Sequence, residues 1–408
     1  VAQRKQRRWN VLALVAVLMA LGLLLLSLGR IELNGMQSRD FLRLASTPRA
    51  LTTSRAVGPW AVEGRLRGEP LTPAEAQADQ QGFDAAPYQV YVGVYSTNNH
   101  GLDLRIPSFL SNGYVWMNWD AAMQRYLQEH KLTIDRLVVP VNLLTGDATS
   151  ALDPVADDPL ELPDGRFYQL FTYQGSFYID RVDFRRFPFL QFSLPLALEV
   201  NDPDGVLDYT NLRLVPELKN SGIGSYADIT GLLVQGWSFA EYRHHYATNF
   251  GLGGAENDYS QVVFDVTYGT SAWSSFWRLL LPLSVVMAMV LLVSKLRRDL
   301  QDVRSTIPVT ILLTLVFLQQ SYRSSLPDLP YLAFLDQVYV VAYVLTLVAF
   351  VLVIWVGRRY EQIEEIPDDS QRQAMVLRLE LIDNVWPLLV VMIGSASIAI
   401  SWLVIPTG

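Results

Sequence analysis

The sequence predicts an all-β extracellular sandwich followed by a four-helix transmembrane domain, with an additional N-terminal membrane anchor helix. Three observations carry this. From Tyr88 to Tyr268 the chain holds many short aromatic and β-branched runs at period two, separated by turn signals. After residue 275 come four apolar segments, each long enough to cross about 30 Å of hydrocarbon. Near the N-terminus an apolar run from Val11 to Leu28 follows a cluster of basic residues. The chain divides accordingly into 1–30, a membrane anchor or uncleaved signal; 31–85, a linker; 86–275, the sandwich; and 276–408, the four-helix domain.

Composition sets the class. Half of the 408 residues are hydrophobic and the mean hydropathy is +0.20, which suits a membrane domain joined to a water-soluble one. A net charge of −8 gives no basic footprint for nucleic acid, so none is expected as a partner. With no cysteine, disulfides, thiol metal sites and cysteine nucleophiles are excluded. No HExxH, P-loop or G-x-S-x-G motif is present, so no enzyme activity, cofactor or metal is expected.

In chain order, Arg4, Lys5, Arg7 and Arg8 precede the first apolar run, which places the N-terminus in the cytoplasm and residue 30 outside. The run is long for a signal peptide, and its exit, SLGRIELNG, has no A-x-A site. An uncleaved anchor is the reading preferred, with a cleaved signal as the alternative. In the linker, EPLTPAEAQADQQ reads as a short helix. The strand-like runs are YQVYVGVYS, YVWMNW, RFYQLFTYQ, FSLPLALEV, LRLVPEL and YSQVVFDVTY. Turn signals at NG (112–113), PDG (163–165), DPDG (202–205) and GLGG (251–254) separate many of them. Such spacing argues for an antiparallel sandwich, with DAAMQRYLQEH, 120–130, as a helix.

The four apolar segments cover roughly 276–294, 305–322, 332–356 and 385–405. The loop 295–304 carries Lys295, Arg297, Arg298 and Arg304, and the loop 357–383 carries Arg358, Arg359, Arg372 and Arg378. The loop 323–331 has only Arg323. Positive residues stay inside, so the sandwich and the C-terminus are expected outside, or in the periplasm, in a multi-pass protein of the cell (inner) membrane. Pro282 and Pro308 fall inside helices, which is tolerable where neighbours satisfy the freed carbonyls.

The second segment is not uniformly apolar. Asp302, Thr306, Thr310, Leu313, Phe317, Gln320 and Ser324 recur at steps of three or four and fall on one face of a helix. Lipid offers no hydrogen bonds, so such a face must meet protein or water. One reading buries the helix in a bundle, with its threonines bonded to their own backbone. The other lines an aqueous pore, with Leu313 and Phe317 as a constriction. The stripe alone does not separate them. Arg304, about 200° around from Asp302, is expected to face away and pair with neighbours or headgroups.

Several stretches resemble the pentameric ligand-gated ion channels, the Cys-loop superfamily. VDFRRFPFLQFSL, 182–194, is similar to that family's sandwich signature; GVYSTNNHGLDLRIPSF and YVWMNW resemble its first two strands and their loop. The GW at 236–237 resembles the Trp of a later strand, and FWRLLLPL the start of the first helix. LPDLPYLAFLDQVY, 326–339, closely resembles the link into the third helix of bacterial members. The likeness runs from about residue 86 to the end. The missing cysteine pair and the short loop before the last helix also fit bacterial members.

The resemblance implies a homopentamer in a lipid bilayer that passes cations when a small-molecule or ionic agonist binds. It selects the pore reading and implies Asp302, Thr306, Thr310, Leu313, Phe317, Gln320 and Ser324 as pore-lining. Five copies of Asp302 would form a carboxylate ring at the cytoplasmic mouth, with Asp299 as the next candidate; the alternative makes Asp302 a helix cap. It also implies a coupling junction of Asp103, Leu104, Leu190, Thr270 and Pro327. There the chain departs from the family, because Leu104, Leu190 and Thr270 stand where charges are usual.

For the ligand, Tyr246 and Tyr259 flank ATNFGLGGAEND and align with the family's agonist hairpin. Glu199 aligns with a site-facing acid and Asn201 with a frequent aromatic. Tyrosine faces beside a carboxylate suit a cationic amine, whereas the competing reading packs these tyrosines at the sandwich edge. His244 and His245 are adjacent on a strand, point to opposite faces, and are expected as solvated loop residues rather than a metal site. A membrane-anchored ligand sensor that passes no ions is the second functional expectation.

Overall fold

The computed structural model of the protein describes residues 73–144, 151–179, 182–202, 206–246, 257–296 and 300–404. The expected anchor, the linker up to residue 72, the turn residues 203–205 and 251–254, and Asp299 lie outside the described residues. The chain forms a β-rich unit and a helical unit. The first contains Gln191–Gly269 and the described residues up to Val182; the second contains Asp183–Leu190 and the described residues from Thr270 onward.

The β-rich unit opens with helix α1 (Pro73–Ala85) and contains two sheets. The seven-stranded sheet has the order β4 (Leu152–Pro154), β6 (Phe167–Tyr178), β2 (Ser108–Trp119), β1 (Tyr88–Asp103), β8 (Leu212–Pro216). Beside it, β5 (Leu160–Glu161) pairs with β6, and β9 (Gly222–Tyr226) with β1. The four-stranded sheet has the order β10 (Leu232–Tyr246), β11 (Asn257–Thr270), β7 (Gln191–Val200), β3 (Val138–Pro140). Period two explains β1: Val90, Val92 and Val94 are fully buried, while Tyr91 and Tyr95 lie on the other face. Helix α2 (Ala121–His130) starts where Asp120 accepts the Met123 N–H at 2.8 Å, and a short α3 (Ile134–Leu137) follows.

Two expectations are corrected here. The larger sheet is mixed rather than antiparallel, since β8 and β9 run parallel to β1. After β6 the chain enters the other sheet through β7, so it returns to β1 by a crossover. Asn112–Gly113 is not a turn but lies within β2, opposite Asn98 and Ser96. A Cβ on Gly113 would sit 2.2 Å from the Tyr95 carbonyl oxygen, so glycine serves close strand approach.

Polar side chains tie the two sheets together. Asn99 donates to the Tyr268 hydroxyl at 3.0 Å, and Ser260 accepts the Leu214 N–H at 2.9 Å. Burial raises the pKa of the Tyr268 hydroxyl, keeping it a neutral donor to the Ala227 carbonyl. Trp237, Phe239 and Phe264 form an aromatic cluster, and Arg213 on β8 forms a buried ion pair with Glu241 on β10.

The helical unit has four helices long and apolar enough to cross a membrane. They are α4 (Ala272–Lys295), α5 (Gln301–Arg323), α6 (Phe334–Glu364) and α7 (Asp369–Val404). Pro308 lies inside α5, and α4 contains a wider π turn at Phe276–Leu280, after its first turn. The basic loops are shorter than expected. Arg304 lies within α5, Arg358 and Arg359 within α6, and Arg372 and Arg378 within α7, because polar residues continue a helix beyond its apolar part.

Asp183–Leu190 packs against these helices. The Phe334 N–H donates to the Arg185 carbonyl at 2.8 Å and the Leu335 N–H to that of Phe187 at 3.2 Å. Phe187 stacks on Tyr322, and Phe189, Phe334 and Trp402 form an aromatic cluster. Asp336, itself buried, accepts from the Tyr322 hydroxyl, from Arg323 Nε at 3.0 Å and from the Ala333 N–H at 3.2 Å.

Candidate functional site

Two groups of side chains stand out, one in each unit. In the β-rich unit, neighbouring strands β7, β11 and β10 bring Glu199, Gln261, His244 and Tyr246 together. Glu199 faces Gln261 across the β7–β11 register. Its carboxylate accepts from Gln261 Nε2 at 2.7 Å and from the Tyr246 hydroxyl at 2.6 Å. His244 Nδ1 lies 2.5 Å from Glu199 Oε2. Glu199 is only 3% exposed, so its side-chain oxygens depend on these partners for their hydrogen bonds.

The Tyr246 ring meets His244 at 4.3 Å and Tyr259 edge-on at 5.8 Å between centroids. Burial, with the charges of Asp202, Glu199 and Asp208, raises the pKa of the Tyr259 hydroxyl, which therefore stays neutral at physiological pH. Asn201 is exposed, and its N–H donates to the Leu137 carbonyl at 2.7 Å. Glu199, Tyr246 and Tyr259 thus converge, while Asn201 makes no side-chain hydrogen bond with them. His244 corrects the expectation of a solvated loop residue: it lies on β10 and is buried. Its two-residue spacing from Tyr246, which puts both on one strand face, was the signal for it.

In the helical unit, Asp302, Thr306, Thr310, Leu313, Phe317 and Gln320 are exposed on α5, and Ser324 is exposed just past its C-terminal end. The other side of α5 is covered, with Arg304, Pro308, Ile311, Leu315 and Tyr322 buried. The Thr306 and Thr310 hydroxyls donate to the carbonyls of Asp302 and Thr306 at 2.8 and 3.1 Å. That backbone bonding is what a bundle helix would show, but among the described residues no other helix covers the stripe. Leu313 and Phe317 are 57% and 66% exposed, and Val303, Val309 and Val316 widen the uncovered arc.

The expected junction residues are placed as follows. In the β-rich unit, Asp103 accepts the N–H groups of Arg105 and Ile106 at 2.8 and 3.3 Å, and Leu104 is half-buried. In the helical unit, Leu190 is buried and bonded to Thr270, and Pro327 is half-buried in the link before α6. Among the described residues, no group of three or more His, Cys, Asp and Glu is arranged to hold a metal ion. The chain matches no protein-family model, and no curated protein is significantly similar to it.

Proposed function

We propose that the protein is a ligand-gated, cation-selective ion channel, a homopentamer resembling the Cys-loop superfamily. Its pore is lined by α5, and its agonist, a small molecule or ion, binds on the β-rich unit. The observation that carries this reading is the uncovered stripe of α5. A helix with Asp302, two threonines, Gln320 and Ser324 on its open face needs water or more protein beside it in a membrane. Five copies around an axis meet both needs, with Asp302 rings at the cytoplasmic mouth and Leu313 and Phe317 as apolar rings above. The convergence of Glu199, Tyr246 and Tyr259 supports the agonist site.

The test is single-channel recording of the purified full chain in a planar bilayer, scanned against pH, calcium and small amines, with native mass spectrometry in mild detergent. Cation-selective openings from a five-chain particle support the reading. A stable particle of other stoichiometry, or a silent protein that still binds ligand, overturns it. The second outcome is the sensor reading, which the uncharged Thr270, bonded to the Pro188 carbonyl, favours.

A further inference from the structure

The first turn of α5 is anchored on the side away from Asp302 at two points. Arg304 is buried, with 1% of its side chain exposed, and its Nη2 donates to both carboxylate oxygens of Asp383 on α7, at 2.9 and 2.8 Å. Trp386 Nε1 donates to the same carboxylate at 3.3 Å. One turn before Arg304, Gln301 donates from Nε2 to the Val353 carbonyl on α6 at 3.2 Å. The Gln301 amide occupies the space above Gly357, where a Cβ would lie 2.2 Å from Nε2. Next to Asp383, Asn384 accepts from Lys295 at the end of α4 at 2.8 Å.

Ionised side chains inside a helical bundle that spans a membrane are costly and mark function, and a buried ion pair more readily secures a unique geometry than net stability. These contacts fix the rotation of a turn whose opposite side carries Asp302. A rotation of one residue about the helix axis is about 100° and would move the carboxylate off the stripe.

We propose that the Arg304–Asp383 ion pair, with Gln301 seated on Gly357, is a clamp that aims Asp302, making Arg304, Asp383 and Gln301 positioning residues for ion selection. This rests on the reading of Asp302 as the charge filter. The clamp accounts for glycine at 357, for the acid at 383, whose side chain is only 13% exposed, and for an arginine two residues from the filter acid.

The chain has no cysteine, so Asp302→Cys provides a single thiol for a spin label in the full-length protein. Label mobility reports on the clamp whether or not ions pass. Arg304→Lys keeps the charge but loses the planar fork, and Gly357→Ala displaces only the end of a flexible glutamine, so the second variant folds even if the first does not. In both, the label is expected to gain mobility. In the same variants with Asp302 intact, the cation-to-anion permeability ratio is expected to fall several-fold, with the amount of assembled protein unchanged for Gly357→Ala. Unchanged label mobility in Gly357→Ala, or altered mobility with an unaltered permeability ratio, overturns the proposal. If wild type conducts but Asp302→Lys leaves its selectivity untouched, the filter reading fails, and with it the selectivity role of the clamp, while label mobility still tells whether the anchor exists.

Discussion

Thr270 donates from its hydroxyl to the Pro188 carbonyl at 2.7 Å and accepts the Leu190 N–H at 2.9 Å. Within the helical unit, one side chain therefore ties Thr270 to the segment Asp183–Leu190. Thr270→Val removes both bonds and leaves a partly buried N–H without its acceptor, which costs about 1–3 kcal/mol. Thr270→Arg adds an unpaired guanidinium and is expected to lower stability and yield further, with Leu190→Asp recovering part of the loss. Thermal unfolding in detergent checks this; an unchanged midpoint in Thr270→Arg means that the site is wet.

Selectivity is read most directly at Asp302. In Asp302→Lys the reversal potential in a salt gradient is expected to move toward that of chloride, and in Asp302→Asn the cation conductance is expected to fall. An unmoved reversal potential in the lysine variant removes Asp302 from the filter.

The apolar rings give a separate prediction. A narrow apolar constriction excludes water and blocks ions without a plug. Leu313→Ser is expected to wet it, producing leak current or easier activation. A serine variant that reaches the membrane and opens no more readily than wild type places the gate at another level.

At Glu199, hydroxyl and ring can be separated. Tyr246→Phe deletes a hydrogen bond to a carboxylate, worth about 1.5–3 kcal/mol, and is expected to lower stability while the aromatic face remains. Tyr246→Ala and Tyr259→Ala are expected to raise the agonist concentration needed for half-activation without altering single-channel conductance. A conductance change instead would place these rings outside the ligand site.

Asp183 provides the pH prediction. Hydrogen bonds from Arg185 hold its carboxyl below the ordinary value of 3.8. A depressed folded-state pKa means that the stabilisation is present above 3.8 and is lost as pH falls through the folded value. The Asp183 side chain is 38% exposed, so solvent keeps the effect small. Wild type is expected to melt slightly above Asp183→Asn at pH 7, with the gap narrowing as pH falls below 3.8; a gap that stays constant in acid assigns it to packing.

The runs that became β2, β6 and part of β1 were legible because buried residues alternate with more exposed ones, whereas β7, β8 and β11, buried almost throughout, were legible from their aromatic and β-branched content. β10 was marked only by the GW at 236–237. Its polar end, EYRHHY, hides the alternation, and Gly236 at φ 151° interrupts it. β3, β4 and β5 are too short to carry a period. Hydropathy located the four long helices but not their ends, since DSQRQAMVLRLELIDN at the start of α7 is helical without being apolar. The α5 stripe was readable from spacing, and the tyrosines only through the resemblance. Gln261 and Asp383 were not readable, because each meets its partner through strand pairing or helix packing rather than sequence proximity.

The N-terminus of α6 has a consequence beyond packing. The first-turn amides of a helix have no partner within it, yet those of Phe334 and Leu335 are held by the carbonyls of Arg185 and Phe187, some 150 residues earlier in the chain. These two amide protons are therefore built-in reporters. Their exchange with deuterated solvent is governed by how often the segment 183–190 lifts away, not by fraying of the helix itself.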